Sequence, residues 1–130
     1  DNNDNAADDD DDDDNAITNN NSLVKRIGKP FSDVYDLCFV NGNVDKSRIC
    51  MVGDALETDV TGGTLAGIAT VWVLLDGIHA PDIMEQQQQH TTTLEDGAAK
   101  VLAAFNDKSN DTYAQGRILQ PDFVLEHFRW

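Results

Sequence analysis

Gly53-Asp54-Ala55-Leu56-Glu57-Thr58-Asp59 sets two aspartates, separated by four residues, directly behind the apolar run Ile49, Cys50, Met51 and Val52. Four apolar residues in a row suit a strand buried on both faces of a parallel sheet. Ligands of such sheets gather beyond the carboxyl ends of the strands, which is where Asp54 falls. A hard cation such as Mg²⁺ takes oxygen ligands and is usually held by one or two carboxylates with phosphate and water, so Asp54 is a candidate metal ligand. Upstream, Gly28-Lys29-Pro30 offers a compact cation suited to phosphate. One helix and one strand separate Lys29 from Asp54, the spacing expected if both reach neighbouring strand ends. Each motif alone has a plainer reading. Asp59 would favour the amino end of a helix, Asp54 would be a loop residue, and a lysine before proline would be a solvated surface group.

The elements that must position these residues read as α/β. Phe31, Val34, Tyr35, Cys38 and Phe39 recur at helical spacing, and Asn41-Gly42-Asn43 closes that helix with a turn. Residues 49–52 form a strand and residues 58–67 a helix, in which Gly62, Gly63 and Ala66 allow close approach to the sheet. Gly67 suits the left-handed position after that helix. Residues 69–75 are a second buried strand, and helix-linked parallel strands imply a right-handed, doubly wound arrangement. Residues 85–93, with four consecutive glutamines and three threonines, read as a low-complexity inserted loop. Leu94, Ala98, Val101, Leu102 and Phe105 form one apolar stripe on a further helix, and Pro121-Asp122-Phe123-Val124 leads into a closing strand.

Through Gly28-Lys29-Pro30 and Gly53-Asp54-Ala55-Leu56-Glu57-Thr58-Asp59-Val60, the chain resembles the haloacid dehalogenase-like (HAD) hydrolases, and within them the class IIA sugar-phosphatase-like branch. Gly62, Gly63, Ala66, Gly67, Ile68, Ala69 and Thr70 look like that family's small-residue helix and next strand, and Gly77-Ile78-His79 like the loop after it. The likeness covers residues 25–82 well and the last dozen more loosely. It implies a Rossmann-like core and Mg²⁺-dependent hydrolysis of a small phosphorylated metabolite. Lys29 would steady the charge on a nucleophilic aspartate and its phosphoaspartyl intermediate, Asp54 would ligate Mg²⁺, and Asp59 would organise the metal and lysine surroundings.

The chain departs from the family where the chemistry begins. Intact members open with a strand ending in DxDx[TV], whose first aspartate attacks phosphorus, and continue with a Ser or Thr motif that holds phosphate. Here the aspartates before Lys29 are Asp1, Asp4 and the unbroken run at 8–14, with no apolar strand leading into them. A nucleophile must be held in line with its target, and a flexible polyanion provides no such geometry. The expectation is therefore the carboxyl-terminal part of a phosphatase core, residues 23–130, inactive alone and with weak or absent Mg²⁺ binding. The alternative is a non-catalytic interaction protein that uses the half-core and the acidic tail to recruit cations or basic partners. Uncovered sheet edges would then favour self-association.

Composition narrows the field further. The formal charge is -15, yet nine of the 24 acidic residues lie in the first 24 positions, which hold no Lys or Arg. Residues 1–22, rich in Asp and Asn, cannot bury enough apolar surface to offset ordering entropy and are expected to be disordered. No clustered basic face suits a nucleic-acid backbone. No stretch approaches the roughly 20 apolar residues that span a bilayer. Cys38, on the apolar helix face, and Cys50, in the buried strand, read as core thiols of a reduced, cytoplasmic protein. His79, His90 and His127 lie in different elements without metal-ligand spacing, so zinc is not expected. His79 follows a strand end near Asp54, but reads as a surface-loop residue. Trp130 is expected to cover a sheet edge.

Overall fold

A computed structural model describes residues 27–39, 44–90, 92–109 and 116–129. The acidic run, the turn at 41–43 and Trp130 lie outside the described residues. Helix α1 (Ser32–Cys38) is followed by a short 3₁₀ turn (Lys46–Arg48), strand β1 (Cys50–Gly53), a π-helical turn (Leu56–Val60) and helix α2 (Thr61–Ala66). Strand β2 (Ala69–Val73), helices α3 (Ala80–His90) and α4 (Leu94–Ser109), and strand β3 (Phe123–Leu125) complete the described chain. The strands pair in the order β1-β2-β3, all parallel, with Gly53 opposite Trp72 and Val73 opposite Leu125. Parallel strands need helical crossovers, and each crossover here carries helices, giving a partial Rossmann-like α/β fold.

Two apolar clusters hold the helices to the sheet. The larger unites Leu56, Val60, Trp72, Leu74, Ile83, Ala98 and Leu119, with Leu94, Val101, Leu102 and Phe105 of α4 packed on it. The smaller joins Tyr35 of α1 to Ala66 and Ile68, with Val34, Phe39, Ile49 and Met51 around them. Gly62 carries the α1 contact, because a Cβ there would lie 2.1 Å from the Tyr35 hydroxyl. Helix α2 ends on Gly67, whose φ of 71° is left-handed. The Lys46 ammonium then donates to the Ala66 carbonyl at 2.9 Å, where a cation suits the negative helix end.

Burial pushes the Tyr35 hydroxyl up to about 12, with the Asp59 and Cys38 charges adding to the effect. An unfolded tyrosine releases its proton near pH 10, so between pH 10 and 12 the unfolded chain binds fewer protons than the fold. Stability should therefore fall as pH rises through that window, by about 1 kcal/mol per pH unit. Urea titrations across the window should show this slope removed in Tyr35→Phe. Near pH 7 that variant should lie within about 1 kcal/mol of the parent, because the buried hydroxyl has no hydrogen-bond partner among the described residues.

Three expectations are corrected. Residues 85–90 are not loop: they continue α3, since glutamine is a good helix former and Ile83, fully buried, anchors the helix to the core. Cys38 and Cys50 are both free and exposed rather than core residues. Helix α1 is held through Tyr35, and Cys38 turns beyond that contact, its thiol donating to the Val34 carbonyl at 3.5 Å. Cys50 opens β1, an edge strand among the described residues, so β1 is not covered on both sides throughout. The helix expected from residue 58 starts two residues earlier, with its first turn widened to π geometry.

Candidate active site

Strand β1 stops at Gly53, and Asp54 emerges at the carboxyl edge of the sheet. Two neighbours hold it there. The Trp72 indole N–H donates to the Asp54 carbonyl at 3.1 Å, and the Ile78 amide donates to Asp54 Oδ2 at 2.9 Å. Gly77 lets the loop after β2 press this close, since a Cβ at 77 would lie 2.0 Å from Asp54 Cβ. The loop's other end is tied down by Asp76. Its carboxylate pairs with His127 Nδ1 and accepts from the Phe128 amide, both at 2.9 Å. Those two hydrogen bonds, the His127 one foremost, hold the Asp76 carboxyl below the usual range.

Asp59 comes back to the same strand end through the π-helical turn. The Asp59 and Val60 amides both donate to the Ala55 carbonyl, at 2.8 and 3.2 Å, and this shared acceptor widens the turn. The turn swings the Asp59 carboxylate over Gly53 and lets Oδ2 accept from the Ala55 amide at 3.2 Å. That bond satisfies one of the free N–H groups at the start of the helical segment. Asp59 is only 4% exposed, and its other oxygen, Oδ1, is paired with Lys29 Nζ. Lys29 is delivered by a tight turn: Gly28 adopts a φ of 139°, which side chains rarely tolerate, and the Phe31 amide donates to the Gly28 carbonyl at 2.9 Å.

Of the residues singled out from sequence, Lys29 and Asp59 thus meet directly, with Asp54 at the head of the same turn. The Asp54 carboxylate engages the loop after β2 instead of the lysine. His79 is corrected from a surface-loop residue to a largely buried one. Its side chain is 11% exposed, with Nε2 3.3 Å from the Leu56 amide, 3.3 Å from Glu57 Oε2, and the ring edge-on to Trp72 at 5.9 Å. Trp72, Gly77 and Glu57 were not distinguishable as site residues from spacing. Gly77 enters the sequence reading only within Gly77-Ile78-His79, a loop like the family's. Beside His79 and Glu57 opens a cleft of about 560 Å³ between α3 and α4, lined by Asp82, Glu85, Lys100 and Lys108 over a Val101 and Phe105 floor.

The residues here do not by themselves make a resident Mg²⁺ site. Among the described residues no three acidic, histidine or cysteine side chains converge on one point. One oxygen of Asp54 already accepts from an amide, and both oxygens of Asp59 are engaged by Lys29 and Ala55.

A parallel sheet that gathers acids and a lysine at its carboxyl edge has the site placement of doubly wound α/β proteins. Within that class, a profile of HAD-hydrolase-like proteins matches residues 26–101, and the chain belongs to that family. The pyrimidine 5'-nucleotidase YjjG of Escherichia coli (strain K12) is 44% identical over 48 residues, 36% of this chain and 21% of its own length. The acid sugar phosphatase of Staphylococcus haemolyticus (strain JCSC1435) is 33% identical over 70 residues, 54% of this chain and 27% of its own. Among solved structures, a p-nitrophenyl phosphatase from Archaeoglobus fulgidus overlays on 77% of this chain and 28% of its own, with a TM-score of 0.45 and 20% identity. The chain therefore spans about a quarter of the length of these relatives.

Proposed function

We propose that the chain is the charge-handling part of a phosphomonoester hydrolase of the sugar-phosphatase-like branch, acting on a small phosphorylated metabolite. The Lys29–Asp59 pair at the tip of β1 carries this reading. Asp59 needs no lysine to serve the start of the helical segment, since its Oδ2 already accepts from the Ala55 amide. The pairing serves instead to hold a half-exposed ammonium at the strand edge, where an incoming phosphate and a developing negative charge are offset by a fixed cation. Asp54, at the same edge, would join a metal ion only together with the attacking carboxylate that this chain lacks. The attacking carboxylate comes from outside this chain, which alone does not turn over substrate.

The test has two arms. The purified chain with Mg²⁺ should not hydrolyse a generic phosphomonoester; turnover lost in Asp54→Asn would overturn the fragment reading and reveal a nucleophile within the chain. Joined to an amino-terminal half carrying DxDx[TV], it should hydrolyse that ester, and Lys29→Met should lower kcat by about 10²–10³-fold, the range seen when one charge-stabilising donor is removed. An unchanged kcat would remove Lys29 from the chemistry.

A second reading rests on a different observation. All three residues of β3 are exposed, Phe123 at 63%, with Ile118 exposed nearby in sequence. An apolar edge strand of this kind favours a binding partner and supports an interaction role for the half-core.

A further inference from the structure

His79 Nε2 lies between two groups with opposite demands. The Leu56 N–H, 3.3 Å away, needs an acceptor, and Glu57 Oε2, also 3.3 Å away, needs a donor. Glu57 Oε2 is buried and has no hydrogen-bond partner among the described residues. One ring nitrogen cannot meet both demands at once: it accepts when its lone pair is free and donates when it carries a proton. The Leu56 amide matters because it is one of the free N–H groups that open the turn bearing Asp59. The neighbouring Ala55 amide is held by Asp59 itself.

We propose that His79 is a pH-responsive positioning residue. Neutral, with its proton on Nδ1, it holds the Leu56 amide and so fixes the start of the Asp59 turn; protonated from solvent at Nε2, it donates to Glu57 instead and releases that amide. The change takes place at a single atom, and the ring needs no new rotamer. Trp72, edge-on to the imidazole, keeps the ring in place in both states. Histidine is the side chain suited to such a change near neutral pH.

The surrounding charges are mixed. Glu57 faces the ring from the π-helical turn; Asp82 and Glu85 from α3, and Lys100 and Lys108 from α4, line the same cleft. Asp76, on the loop itself, is committed to His127 and the Phe128 amide. Among the described residues Glu57 is the acidic group within reach of Nε2, so it is the partner to which the protonated nitrogen donates.

Nuclear magnetic resonance on the full chain between pH 5 and 8 tests this without any turnover assay, so its failure is distinct from failure of the hydrolase reading. At pH 8 the His79 nitrogen resonances should report the Nδ1–H tautomer. As the ring becomes protonated, the Leu56 amide resonance should move with the same midpoint. Exchange of that amide, corrected for the intrinsic pH dependence of exchange, should quicken by about five- to tenfold, as expected for loss of one hydrogen bond. His79→Gln, whose amide oxygen accepts but does not titrate, should keep the Leu56 amide protected at both ends of the range. An Nε2–H tautomer at pH 8, a Leu56 amide that ignores the ring's titration, or one that still titrates in His79→Gln would each overturn the proposal.

Discussion

Truncating Trp72 to alanine is expected to cost about 3–5 kcal/mol, the range for removing a large aromatic side chain from a core. Trp72 is 1% exposed and lies in the larger apolar cluster, among Leu56, Val60, Leu74 and Ile83. Its loss would open a cavity between the π-helical turn, the sheet and α3. A small domain is stabilised by only about 5–15 kcal/mol, so the urea midpoint of the variant should fall by at least about a fifth. The effect should extend to the site, because the same indole donates to the Asp54 carbonyl and flanks His79. Trp72→Phe separates the two contributions. It keeps most of the buried area, loses the hydrogen bond, and should cost about 1–2 kcal/mol. Equal losses in both variants would mean that packing at this position is not what holds the strand end.

Gly53→Ala is expected to be nearly as damaging, at about 3 kcal/mol, although it adds a single methyl group. A Cβ at this position would lie 2.1 Å from Asp59 Oδ2 and 2.5 Å from Asp59 Cβ. Contacts that short do not occur, so either the strand end or the carboxylate must move. Displacing Asp59 separates it from Lys29 and from the Ala55 amide, leaving polar groups without partners at a largely buried point. A double-mutant cycle identifies the cause. In an Asp59→Gly background the obstructing side chain is gone, and Gly53→Ala should cost less than about 1 kcal/mol, giving a coupling well above the usual additivity error. Purely additive effects would show that the glycine is needed for some reason other than room for Asp59.

The portion of the site that could be read from sequence was local. Gly53, Asp54 and Asp59 follow directly on a strand, and a strand's end fixes where the next few residues emerge. The helices at 32–38 and 94–109 were legible from apolar spacing, because a 3.6-residue period places recurring side chains on one face whatever they later touch. The same spacing does not say how wide the covered face is. Cys38 belongs to the α1 pattern yet lies outside the contact made by Tyr35, and Cys50 is apolar in sequence yet begins an edge strand. The glutamine run at 86–89 carries no apolar period and so reads as a loop, yet it is helical. Its helix is held through Ile83 and the packing of α3 on α4, which involve residues outside the run.

By itself, the sequence pointed to the family and the parallel α/β pattern, and it singled out Lys29, Asp54 and Asp59 as candidates for chemistry. Motif residues carry that information because their types and spacing suffice to define it. Tertiary structure alone decided where those side chains reach: Lys29 is joined to Asp59 across 30 positions, and Asp54 is turned to the Ile78 amide. It also decided that His79 is buried between the Leu56 amide and Glu57. Contacts between residues far apart in the chain depend on where the sheet edge and the loop after β2 are placed, and that placement follows from the packing of Trp72, Gly53 and Gly77.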